Sequence, residues 1–153
     1  MNKNYKCEEG IIMSWLIFAI LSAVSAALVS IFGKIGLQNI DANTATAIRS
    51  VIMALFLIGV VSVQGNLGKI PEIIGQRKAL LFIVLSGLAG ATSWLFYFLA
   101  LKTGKVSQVG PIDKLSVVIA TVLAIIFFGE KLSLVNGVGV ALIAIGVILT
   151  ALQ

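Results

Sequence analysis

The run IIMSWLIFAILSAVSAALVSIF fills residues 11–32 and contains no charged side chain. A helix of that length rises roughly 33 Å, enough to cross a hydrocarbon layer of ~30 Å. The run is apolar throughout rather than alternating, so it reads as a membrane helix and not as a barrel strand. Working outward, four further segments have the same character. They are Asn43–Val63, Ala79–Leu101, a segment that starts between Ser107 and Pro111 and ends at Phe128, and Leu134–Leu152. The expected fold is an all-α membrane protein of five transmembrane helices. A polar tail is expected at residues 1–12 and one five-helix domain at 13–153.

Composition points the same way. Of 153 residues, 59% are hydrophobic and 11% charged, and the mean hydropathy is +1.13. A soluble domain carries roughly 25% charged residues and needs them to cover its surface. The net charge of +5 does not indicate nucleic acid, because the basic residues stand singly between apolar runs, where they set orientation. Cys7 is the one cysteine and there is no histidine, which excludes an intrachain disulfide and a zinc cluster. No nucleotide loop, nucleophile elbow or metalloprotease helix is present, so neither an enzyme nor a cofactor is expected. Lys3 and Lys6 precede the first run as in a signal peptide, but the run is too long and more spans follow. An uncleaved first helix is expected, with Met13 a second candidate start.

The breaks between spans have local causes. Gly33-Lys34 closes the first span, with Gly33 expected as its C-terminal cap. Asp41 or Asn43 can cap the second. Pro71 opens a short interfacial turn in the longest connection, Gln64–Lys78. Thr103-Gly104 ends the third span and Gly129-Glu130-Lys131 the fourth. The last two connections are short, so spans three, four and five should be sequential antiparallel neighbours.

Small residues recur at close spacing: Ser22, Ala26 and Ser30 in the first span, Ser86 with Gly90 in the third, and Gly137, Gly139, Ala141 and Gly146 in the fifth. In lipid such spacings let backbones approach. They serve packing within one bundle or a homodimer seam, for which the fifth span is the best candidate. With five spans the termini lie on opposite faces. Six basic residues fall on the N-terminal face (Lys3, Lys6, Lys69, Arg77, Lys78, Lys131) against five on the other (Lys34, Arg49, Lys102, Lys105, Lys114). So even a balance suits either one orientation set by Arg77-Lys78 or insertion in both senses. The second outcome would give an antiparallel homodimer of the kind inverted repeats form.

Charges inside spans are costly and usually functional. Arg49 lies roughly 9 Å into the second span. Asp113 and Lys114 lie at a similar depth if the fourth span starts at Ser107. Trp94 and Tyr97 stand about 12 and 7 Å from the same face and share one side of their helix. Arg49, Trp94, Tyr97, Asp113 and Lys114 thus make a candidate substrate layer whose formal charge favours an anionic or zwitterionic solute. The alternative places Pro111 at the first helical position, which leaves Asp113 in an ordinary first turn. Glu130 reads on physics alone as a helix-end residue.

Together, several stretches resemble one repeat of the EamA-like family of the drug/metabolite transporter superfamily. They are Met13-Ser14-Trp15, Lys34-Ile35-Gly36, Ala45-Thr46-Ala47-Ile48-Arg49, Ser93-Trp94-Leu95-Phe96-Tyr97 and Ala100-Leu101-Lys102-Thr103-Gly104. The most specific are Val109-Gly110-Pro111-Ile112-Asp113-Lys114 and Phe127-Phe128-Gly129-Glu130-Lys131-Leu132. The resemblance runs from Met13 nearly to the end of the chain. It implies a transporter of metabolites, amino acids or drugs in a bacterial or archaeal cytoplasmic membrane, and a structural role for Glu130 as part of a hallmark after the fourth span. Larger members hold two inverted repeats; this chain matches one. The expected function is secondary transport of a small-molecule substrate across a lipid bilayer by a homodimer. The alternative is a non-transporting membrane subunit, or half-transporter, that needs a different partner chain.

Overall fold

The computed structural model describes the backbone of residues 4–152 and the side chains of residues 15–152; Lys3 and the start of the polar tail lie outside the described residues. Among the described residues seven α-helices follow in order, with a short 3-10 helix (Leu67–Lys69) before the third: α1 (Asn4–Gly36), α2 (Ala42–Val63), α3 (Ile70–Gly75), α4 (Arg77–Thr103), α5 (Val106–Asp113), α6 (Leu115–Phe128) and α7 (Leu134–Ala151). Among the described residues five spans are long and apolar enough to cross a membrane: α1 from Trp15, α2, α4, α5 with α6, and α7. Lipid offers no partner for a backbone N–H or C=O, so each run closes its own hydrogen bonds as a helix. Serine and threonine hydroxyls do the same by bonding the carbonyl four residues back, as in Ser25 to Leu21, Ser50 to Thr46 and Thr121 to Val117.

Local chemistry sets the ends. Asp41 caps α2 by accepting from the Thr44 N–H at 2.8 Å and the Thr44 hydroxyl at 2.9 Å. Pro71 sits in the first turn of α3, where its missing N–H costs nothing. Gly129 stops α6 with φ 65°, a left-handed cap for which glycine lacks the Cβ penalty. The Ser133 hydroxyl accepts from the Asn136 N–H and starts α7.

Two expectations are corrected. Gly33 does not end the first helix, which runs on to Gly36. Its lack of a side chain instead admits Phe98 of α4, whose ring fills the space a Cβ would take. Pro111 is not at a helix start either. It lies inside α5, and the fourth span begins at Val106. Proline cannot donate to the Ser107 carbonyl, and the helix breaks three residues later, where the Lys114 N–H turns back to the Pro111 carbonyl at 2.9 Å. Asp113 and Lys114 therefore stand at a break within a span, not in a first turn.

Helix α4 is central and packs against α1, α2 and α5; α7 packs against α5 and α6. No substantial contact joins α2 to α6 or α7 among the described residues, so the bundle does not close on itself. The buried core is small and lies near the face where α1 and α4 end. It comprises Leu37, Ala42, Phe98 and Leu101, flanked by Val29, Trp94, Tyr97 and Val109. Lys34 locks the two helix ends together. Its ammonium donates to the carbonyls of Leu101 at 2.6 Å and Gly104 at 2.9 Å, where the negative end of the α4 dipole favours a cation. The chain exposes 12136 Å². A compact protein of 16.1 kDa would expose about 7400 Å². Large apolar side chains are exposed along all five spans.

Candidate functional site

Four of the five candidate residues meet in one pocket. Trp94 and Tyr97 from α4 and Asp113 and Lys114 from the break between α5 and α6 line a cavity of about 210 Å³, completed by Ala26, Ser30, Ser93 and Ser116. The three-residue spacing on α4 puts the Trp94 and Tyr97 rings edge to face, with centroids 5.8 Å apart. The Tyr97 hydroxyl is hydrogen-bonded to Ser30 of α1, which fixes the ring against that helix. Asp113 and Lys114 pair at 3.2 Å, and both side chains remain open to the cavity, Asp113 at 35% and Lys114 at 55% exposure. The broken backbone turns both charges to one side.

Arg49 does not join them. Its guanidinium stacks over the Trp94 ring at 3.8 Å and the Phe98 ring at 4.5 Å. Trp94 and Phe98 are themselves stacked, with centroids 5.6 Å apart. Arg49 lines a separate crevice with α1 residues, and that crevice shares no residue with the Asp113–Lys114 pocket. Equal depth did not make one layer, because α2 and α5 approach α4 on different sides.

The sequence reading missed Ser93 and Ser116 as pocket residues. Ser93 lies four residues before Tyr97, so helical periodicity carried that signal. It also missed Phe98 and Lys34 as partners of Gly33 and the α4 end. Of the structural candidates, Gly137 lies 3.4 Å from Leu132 measured at a built Cβ, while Gly139 and Gly146 face open space. Glu130 lines a shallow groove with Asn136 and Gly139 between α6 and α7.

Five apolar spans, three of which wall a polar pocket at a helix break within the fourth, are the features of a multi-pass membrane transporter. Comparison with known proteins gives the family: the EamA-like transporter profile matches residues 13–152, and the chain belongs to it. The chain is 45% identical over 138 residues to an uncharacterised transporter encoded in the cobO 3' region of a Sinorhizobium species, covering 90% of this chain and 96% of that one. It is 33% identical over 81 residues to the uncharacterised protein MJ1333.1 of Methanocaldococcus jannaschii, covering 53% of this chain and 59% of that one. No solved structure matches.

Proposed function

We propose that the protein is a secondary transporter of small zwitterionic, amino-acid-like metabolites that works as a homodimer in a bacterial or archaeal cytoplasmic membrane. The observation that carries this reading is the Asp113–Lys114 pair, opened into a polar cavity at a helix break. With Arg49 turned away, the pocket's two formal charges cancel. A zwitterion can exchange into the pair, its ammonium on Asp113 and its carboxylate on Lys114, while the Trp94 and Tyr97 rings and the Ser30, Ser93 and Ser116 hydroxyls take its side chain. A free anion or cation would leave one of the pair without a partner.

The missing wall supports the dimer. An unclosed bundle with so much exposed surface supports a pocket completed by a second copy, and the near-even distribution of basic residues supports an inverted one. The same open surface suits a different partner chain, and one assay separates the two readings. The purified chain alone, in proteoliposomes, is expected to exchange radiolabelled amino acids. Asp113→Asn and Lys114→Gln should each abolish exchange without loss of helical content. A Cβ added at Gly139 would have nothing within 4 Å, so Gly139→Leu should leave the monomer folded; if α7 is the seam it removes the dimer, by crosslinking, and exchange with it. No exchange by the pure chain, with recovery on adding a second membrane protein, would replace the homodimer with a heteromer.

A further inference from the structure

Arg49 is the charge left over. It sits seven residues beyond the start of α2, roughly 10 Å along the axis. The Trp94 and Phe98 rings hold its guanidinium at 3.8 and 4.5 Å instead of letting it snorkel to the interface. A charge at that depth calls for a counter-ion, and none of the described residues supplies one. Asp113 is tied to Lys114 in a different pocket, and the Arg49 Nε is buried with no hydrogen-bond partner.

The crevice in front of it has one chemical character. It measures about 330 Å³, and its walls are Val29, Phe32, Leu37, Ile40 and Phe98, with glycine and alanine between. Thr46, the other polar wall residue, spends its hydroxyl on the Ala42 carbonyl at 2.7 Å. The guanidinium is therefore the one polar group in the crevice with donors to spare. Phe32 and Ile40 are exposed at 64% and 51%, whereas Leu37 is buried, so the crevice is reached past apolar side chains. A hydrated inorganic anion would lose its water against apolar walls.

We propose that this crevice is a binding site for a small amphipathic organic anion, a compact apolar body bearing one carboxylate, with the carboxylate on Arg49 and the body against Val29, Phe32 and Leu37. The site is distinct from the zwitterion pocket and shares with it only the Trp94–Phe98 stack, so occupancy on one side bears on the ring that walls the other.

The chain has two tryptophans, and Trp15 is exposed on α1. Trp15→Phe therefore leaves Trp94, directly under the guanidinium, as the sole reporter. The full chain in phosphatidylcholine nanodiscs is titrated with phenylacetate, with phenylacetamide of the same shape but no charge, and with acetate, which lacks the apolar body. Phenylacetate should change Trp94 emission saturably and bind about tenfold or more tighter than either control, the scale of one charge-assisted contact. Arg49→Gln should bring phenylacetate to the level of the amide, and Arg49→Lys should keep part of the preference. Equal binding of acid and amide, or no saturable change with any probe, overturns the proposal without recourse to a variant. A preference that survives Arg49→Gln overturns it too. Binding is read at equilibrium and without flux, so its failure leaves zwitterion exchange standing, and failure of exchange leaves this site standing.

Discussion

Gly33→Ala should destabilise the protein, although alanine is the better helix former. Built onto Gly33, a Cβ overlaps Cε1 of Phe98 and lies 3.2 and 3.3 Å from its Cζ and Cδ1, inside the ~3.5–4.0 Å that carbon contacts prefer. The ring has nowhere to go. Phe98 is 3% exposed, with Trp94 stacked at 5.6 Å, Tyr97 edge-on at 5.8 Å and the Arg49 guanidinium at 4.5 Å. Helices α1 and α4 must therefore separate, which also strains the Lys34 and Ser30–Tyr97 hydrogen bonds. Overpacking of this kind costs about 1–3 kcal/mol, and the upper half of that range suits a ring confined on three sides. The helix gains back ~0.5–1 kcal/mol from losing a glycine, which leaves a net loss of about 1–2.5 kcal/mol. Gly36→Ala is the internal reference. It lies in the same helix, and a Cβ there meets nothing within 4 Å, so it should be neutral or slightly stabilising. Reversible unfolding in mixed detergent micelles, followed by circular dichroism, gives both free energies. Phe98→Leu should relieve the clash, with a coupling to Gly33→Ala of roughly 0.5–3 kcal/mol in a double-mutant cycle. If Gly33→Ala is as stable as Gly36→Ala, or if its cost is unchanged beside Leu at position 98, the packing argument is wrong.

Lys34→Met should cost about 1.5–3 kcal/mol, the range for hydrogen bonds from a charged donor, and Lys34→Arg should recover part of it in the same unfolding assay. Asp41 lies outside the spans, and the Thr44 N–H, then the Thr44 hydroxyl, hold its carboxylate below the ordinary range. A depressed folded pKa gives stability that is present above the unfolded value of ~3.9 and is lost as pH falls through the folded one. Asp41→Asn keeps a capping oxygen but does not titrate, so the difference in melting temperature between wild type and variant should be constant at neutral pH and shrink in acid. A difference independent of pH would remove the charge from the account of this cap.

The sequence by itself determined which residues leave water and about where each span lies along the chain. Hydropathy placed all five spans, and Asp41, Pro71 and Gly129 acted through chemistry confined to one turn, whereas Pro111 was legible only as a helix start. Only the tertiary structure decided which helix faces meet. It turned Gly33 from an apparent cap into the seat of Phe98, and Lys34 from an orientation signal into a lock on the end of α4. It kept Trp94, Tyr97, Asp113 and Lys114 together and set Arg49 apart, although all five lie at comparable depth. The physical reason is that lipid tails are as apolar as leucine. Burial fixes a residue's depth in the membrane but exerts little force between one helix and the next. That choice falls to steric fit and a few hydrogen bonds between residues such as Ser30 and Tyr97, 67 positions apart, where local periodicity carries no information.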